Sequence, residues 1–242
     1  MARWGRNTTL PPPRPIPWTM KSVASAATEL RFLPDGRLHL HVRHEVLRGV
    51  TPAMLVWWFQ HLEGTLELEG RTWPRYHIWH PIDHIAIRYA RRLPDGSVGP
   101  GARIHIQEAL GGDMRHLVDI VTTIERLDEG GFVHAPWVAG VRVARLEYAF
   151  TPVPGGTLYE NSITVGPENA IGRAIVNHLV RPRLFPDEKA RAWLRHNVEE
   201  VGNFEFFLPT LYAREAGQEA SREPRGGLRG LPGASREPLR EG

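Results

Sequence analysis

The chain has 242 residues, 41% hydrophobic and 24% charged, with a net charge of +3 and no cysteine. That length serves one large domain or two small ones, and the balance is that of an ordinary soluble globular protein. Without thiols there are no disulfides and no thiolate metal sites, so any metal must be held by imidazole and oxygen ligands.

A sequence pI of about 9.6 invites nucleic acid, but the distribution of charge argues against it. Arg3, Arg6 and Arg14 put +3 on residues 1–18, and five Arg with four Glu put +1 on residues 216–242. The overall +3 less that +4 leaves −1 on the body, which therefore lacks the clustered basic charge of a nucleic-acid footprint. No apolar run approaches the ~18 residues of a membrane span. No apolar signal core follows Met1-Ala-Arg-Trp-Gly-Arg6, so the expected location is the cytoplasm.

Along the chain, Leu10-Pro-Pro-Pro-Arg-Pro-Ile-Pro17 reads as a proline-fixed extended arm, residues 1–18, laid along the domain. Residues 37–43 alternate strictly. Leu38, Leu40 and Val42 face a core, and His39, His41 and Arg43 face solvent, with no nearby carboxylate to complete a metal site. Thr51 as N-cap, Pro52 at the first position and Gly64 at the exit predict a helix, with Trp57, Trp58 and Phe59 as anchors. From about 65 to 166 the pattern is successive strands parted by Pro94-Asp-Gly96, Gly111-Gly112, Gly130-Gly131 and Pro154-Gly-Gly156, an antiparallel meander. Residues 114–127 fit a strand or a helix. Helices are predicted over 168–181 and 186–207, broken at Pro182 and Pro186. Residues 215–242, poor in apolar groups, read as a disordered tail. The resulting fold class is α+β: one domain over 19–214 with a curved sheet, a long C-terminal helix and a cavity between them.

Three strings carry chemistry. On the last helix, His196 and Glu200 stand one turn apart on one face and can grip a single ion. Glu108 ends the alternation Ile104-x-Ile106-x-Glu108 on the apolar face, where an acid is costly unless paired or bound to metal. His77, His80 and His84 crowd into eight residues beside Tyr76 and Trp79, and strand parity does not choose among them because Pro81 interrupts the strand.

Trp79-His-Pro-x-Asp-His84, Glu108-x-x-Gly-Gly112 and His196-x-x-x-Glu200-Val-Gly-Asn-x-x-x-Phe-Leu-Pro209 together resemble the diacetylphloroglucinol hydrolase family, which includes phloretin hydrolase. The resemblance covers about residues 50–212. It implies the helix-grip fold of START and pollen-allergen proteins. It also implies a zinc-dependent hydrolase that cuts the carbon–carbon bond between an acyl group and a phenolic ring. The implied metal set is two His and two Glu: Glu108, His196, Glu200 and, by the family spacing of about thirty residues, His77, with His80 or His84 in its place if the intervening loop differs in length. The ligand types leave Fe2+ and Mn2+ open beside Zn2+.

The family's further histidine in mid-sheet has no counterpart in Leu146-Glu-Tyr-Ala-Phe150, where Tyr148 stands instead, with His134 and His178 as the nearest alternatives. Tyr148 and Tyr159 are the candidate catalytic groups. His80, Trp79 and Tyr76 are the candidate substrate contacts, with Trp57 and Trp58 as further wall. The expected partner is a small aromatic or 1,3-dicarbonyl substrate, with no nucleic acid and no membrane, and the resemblance implies a homodimer. Two other functions fit the same residues: a non-catalytic helix-grip protein binding a hydrophobic aromatic molecule, and a non-haem iron oxygenase.

Overall fold

The computed structural model describes residues 8–170 and 172–222. In chain order the elements are β1 (Ala27–Phe32), β2 (Leu38–Arg43), β3 (Leu47–Arg48), α1 (Pro52–Gln60), β4 (Thr65–Leu68), β5 (Arg71–Pro74) and α2 (Arg75–Trp79). Then come β6 (His84–Arg91), β7 (Arg103–Ala109), β8 (Leu117–Asp128), β9 (Gly131–Val138), β10 (Val141–Arg142), β11 (Ala144–Val153) and β12 (Gly156–Val165). A π-helical stretch (Gly172–Val180), α3 (Arg181–Leu184) and α4 (Asp187–Arg222) close the described chain.

The sheet runs β1-β2-β12-β11-β9-β8-β7-β6, with β3 paired to β12 and β10 to β9, antiparallel throughout. Residues 114–127 resolve as strand because six of the seven residues from Val118 to Ile124 are β-branched, which favours the pleated surface over the helix. α1 is capped as expected, the Thr51 hydroxyl accepting from the Met54 N–H at 3.3 Å, but it ends at Gln60, before Gly64.

α4 packs against the sheet through Trp193, Leu194, Val201, Phe204 and Leu208, all buried. This large antiparallel sheet gripping one long C-terminal helix is an α+β helix-grip fold. Two helical boundaries differ from expectation. Pro182 does not break its helix, because it sits in the first turn of α3, where a missing N–H costs nothing. α4 continues past 207, through Pro209, and past the expected start of the tail at 215. There Glu215 pairs with the Arg75 guanidinium, which also lies 5.3 Å from the Trp57 ring, so the extra turns have something to hold. Residues 223–242 of that expected tail lie outside the described residues, as do residues 1–7 of the arm.

The rest of the arm runs along the domain. The Arg14 N–H donates to the Pro81 carbonyl at 3.1 Å, and the Trp18 indole donates to Asn203 Oδ1 at 2.9 Å while stacking on Phe206. No described helix is long and apolar enough to cross a membrane.

Candidate metal centre

Register builds the site. In the β6–β7 ladder His84 lies directly opposite Glu108. α4 then lays His196 and Glu200, one turn apart, across that pair. His84 Nε2 stands 3.7 Å from Glu108 Oε2 and 3.5 Å from Glu200 Oε2. His196 Nε2 stands 3.6 Å and 3.5 Å from the same two oxygens. Donors ~2.0–2.2 Å from a tetrahedral ion stand about 3.3–3.6 Å from one another, so these four imidazole–carboxylate separations are close to the edges of such a site, and the donor atoms of His84, Glu108 and His196 all lie within 4.8 Å of one another. Two deprotonated carboxylates and two neutral imidazoles carry −2, which a divalent ion neutralises.

The tautomers agree. His84 Nδ1–H donates to the Tyr76 carbonyl at 2.6 Å, which leaves Nε2 bearing a lone pair. That Nε2 is buried and has no hydrogen-bond partner among the described residues. Nδ1–H of His196 donates to Asp83 Oδ2 at 2.9 Å, again freeing Nε2 for the cluster. This is the carboxylate–histidine arrangement that orients metal ligands and raises their basicity. Asp83 is itself fixed: its two oxygens accept the N–H groups of Gly111 and Gly112, each at 2.8 Å. Tyr76 adds a third support. Its hydroxyl donates to Glu108 Oε2 at 3.1 Å, and its ring stacks on His84 with centroids 3.6 Å apart.

The electrostatics follow from burial and from mutual charge. Burial pushes the His84 imidazole down to about 3, so it stays neutral. Burial would raise the Glu200 carboxyl, but the charge and hydrogen bond of His196 hold it at about 2. Burial, then the charge of Glu200, lifts Glu108 above its ordinary value despite the opposing pull of His196. His196 is raised well above its ordinary value: burial opposes this, and the charges of Glu200 and Glu108 with the Asp83 hydrogen bond outweigh it. Without an ion the two acids thus hold a second proton on His196, and a divalent ion bound there would displace it.

The structure brings together Glu108, His196 and Glu200 as expected, but it puts His84, not His77, in the fourth place. Residues 75–79 form a helix, and the β6 strand begins only at His84. His77 therefore stays on α2, where its ring meets the Arg14 guanidinium at 2.9 Å and the Ile85 carbonyl at 2.7 Å. His80 is not a substrate contact either. Its Nδ1 accepts the Asp83 N–H at 3.0 Å, so Nε2 carries the proton and donates it to Glu199 Oε2 at 3.2 Å, behind the ligands. His80, Asp83 and His196 form a second close group, but the Asp83 oxygens are already committed to Gly111, Gly112 and His196, so it supports the first group and is no second centre.

Glu108, His196 and Glu200 line a cavity of about 640 Å³ between the sheet and α4, a size that suits a small organic molecule, and His84 is buried beside them. Its wall includes Tyr76, Trp79, Phe59, Phe132, Tyr148 and His134. Trp57 and Trp58 are outside it: they pack into the core, Trp58 edge-on to Trp79 and Phe204. Tyr159 is also outside it, fully buried behind Tyr148, so its candidacy as a catalytic group lapses. His178 is exposed beside Gly36, away from the site. His134 lies in mid-sheet on β9, where its Nε2 is 3.3 Å from the Tyr148 hydroxyl. Burial pushes His134 down to about 3 and holds Tyr148 well above 10, so both are neutral. Asp83 is the functional residue that motif reading passed over. Its signal was its place immediately before the ligand, in Pro81-x-Asp-His84, with a paired glycine downstream.

The fold and site define an α+β helix-grip protein with a two-histidine, two-carboxylate cluster beside an aromatic cavity. Residues 28–126 match the DAPG hydrolase PhiG domain family. Over 191 residues the chain is 27% identical to phloretin hydrolase of Eubacterium ramulus, covering 69% of this chain and 65% of that protein, just under two thirds of the relative's length. The chain is thus similar to proteins of the diacetylphloroglucinol and phloretin hydrolase family. Among solved structures it is similar to a START superfamily protein from Mycobacterium smegmatis (TM-score 0.43, 12% identity, 69% of this chain and 94% of that one). It is also similar to Ara h 8.0201 (TM-score 0.38, 13% identity, 69% and 97%). The fold assignment rests on the sheet order and α4, not on these likenesses.

Proposed function

We propose that the protein is a metal-dependent hydrolase, with zinc the metal, cleaving the carbon–carbon bond between an acyl group and a phenolic ring. The observation that carries this reading is the cluster of His84, Glu108, His196 and Glu200, of which the last three line an aromatic-walled cavity. When bound there, a zinc ion supplies Lewis acidity toward the acyl carbonyl and makes water a stronger acid.

The chain's own groups do the rest. Phe59, Phe132 and Trp79 give a flat ring an apolar wall to pack against. In the overall balance, water's oxygen joins the acyl carbon to give a carboxylic acid, the carbon–carbon bond breaks, and the ring carbon takes a proton. Tyr148 is the proton donor in this reading, because burial keeps its Oη–H intact at neutral pH. The neutral imidazole of His134, at 3.3 Å, orients that hydroxyl and relays a replacement proton from water. A proton supplied in place is typically worth ~10²–10⁴-fold.

The test incubates the zinc-loaded full chain with trihydroxyacetophenone and follows acetate and phloroglucinol. Release of both, abolished by a chelator and restored by zinc, supports the reading. Turnover that consumes oxygen instead would replace it with an oxygenase. No turnover across an acyl-phenol panel would overturn it.

A further inference from the structure

Lys21 and Lys189 are the chain's two lysines, and Lys189 lies in the wall of the cavity. It sits on α4 seven residues before His196, two turns away on the same face, so its Cα is about 10 Å along the axis from that ligand. Trp193 fills the turn between them. The Lys189 ammonium donates one hydrogen bond, to the Leu117 carbonyl at 2.9 Å, and leans toward the Phe185 ring at 5.7 Å. Among the described residues no carboxylate stands within ion-pair distance of it. An ammonium has three N–H donors, so two are left for something else. A half-buried cation in a largely apolar wall, acted on only at a distance by the Glu108 charge, is costly unless a ligand completes it. Arg103 is the other cation in the lining, and it is exposed at the outer end of β7.

We infer that Lys189 is a specificity-determining residue that binds an ionised oxygen of the substrate, a phenolate or a carboxylate, remote from the carbonyl held at the metal centre. This rests on the proposed site being the substrate site, and it narrows the substrate to acyl aromatics that bear such an anion. Lysine acts here as a point charge that accepts either oxyanion without demanding bidentate geometry.

Equilibrium binding tests it without turnover. Two ligand pairs are titrated by calorimetry into the zinc-loaded full chain and into Lys189→Met and Lys189→Arg. Trihydroxyacetophenone against its trimethyl ether isolates a phenolate, and para-acetylbenzoate against its methyl ester isolates a carboxylate. Zinc content and circular dichroism, measured on each variant, show that the site and fold persist. In the wild type the ionisable member of at least one pair should bind tenfold or more tightly than its neutral partner. Lys189→Met should reduce that preference below about twofold, and Lys189→Arg should keep most of it. The pair that responds names the oxyanion. An equal preference in wild type and Lys189→Met, no preference in the wild type, or no binding by either pair overturns the assignment. Acid release, assayed separately, keeps the two ideas apart. A charge preference without hydrolysis leaves Lys189 in place and removes the hydrolase reading, whereas hydrolysis indifferent to Lys189→Met does the reverse.

Discussion

The Asp83 carboxylate accepts the Nδ1 proton of His196 at 2.9 Å while the backbone N–H groups of Gly111 and Gly112 hold its two oxygens. One residue thus ties the β6 entry, the turn after β7 and the metal-facing histidine of α4 into a single hydrogen-bonded unit. Burial would raise its carboxyl, but the His196 hydrogen bond and charge and the Gly111 N–H bring it down well below the usual carboxylate range. Asp83→Asn keeps the shape and removes the charge that makes His196 a strong donor. Zinc affinity should fall about 10–100-fold, read by competition with a chromophoric chelator, with the far-ultraviolet circular dichroism unchanged. Unchanged affinity would mean that Asp83 only fills space.

The choice between His84 and His77 is equally direct. His84→Ala removes a donor whose Nε2 faces both glutamates, and the purified variant should lose most of its zinc by elemental analysis. His77→Ala breaks contacts to Arg14 and the Ile85 carbonyl, near the surface, and should keep about one zinc per chain. The reverse pattern would return the fourth ligand place to His77.

That reversal shows what a sequence can and cannot disclose. Glu108, His196 and Glu200 were legible because each sits inside a regular element whose period fixes its face: a strand alternation for the first, a helical turn for the others. The fourth ligand was not, because residues 75–83 pass from helix through a turn into strand, and no single period spans such a stretch. His134 stood only as an alternative to Tyr148, for a different reason. It meets Tyr148 through the β9–β11 pairing, which sets Leu146 opposite His134, and that register is a long-range fact absent from either strand alone. The start of the tail was misplaced because Arg75, 140 positions from Glu215 in sequence, holds the last turns of α4.

Gly111 and Gly112 carry φ of 70° and 69°, the left-handed region that a side chain resists by about 1–2 kcal/mol per residue. At Gly112 an added Cβ would also stand 3.2 Å from Ile82 Cγ2, beside the Asp83 it supports. Gly112→Ala should therefore lower stability by roughly 1–2 kcal/mol in urea melts and weaken zinc binding as well. A loss of stability with zinc affinity intact would show that the turn and the metal support are uncoupled.

Acid should weaken the fold through its buried histidines. His44 is buried, and burial pushes it from 6.5 down to about 4, although its Nε2–H hydrogen bond to Asn161 Oδ1 at 2.8 Å works the other way. His134 is pushed to about 3 by the same cause. For both groups the unfolded chain takes a proton as pH falls below about 6.5, and the folded chain does not until about 4 or lower. The unfolded state therefore binds more protons across that window, and stability declines as pH drops, by at most about 1.4 kcal/mol per pH unit for each group. Glu200, held at about 2, adds its own loss only below the ordinary carboxylate range, so the two effects separate. Urea midpoints measured at pH 7 and pH 5 should differ clearly in the wild type, and His44→Gln should show a smaller difference. An equal difference in that variant would remove His44 from the account.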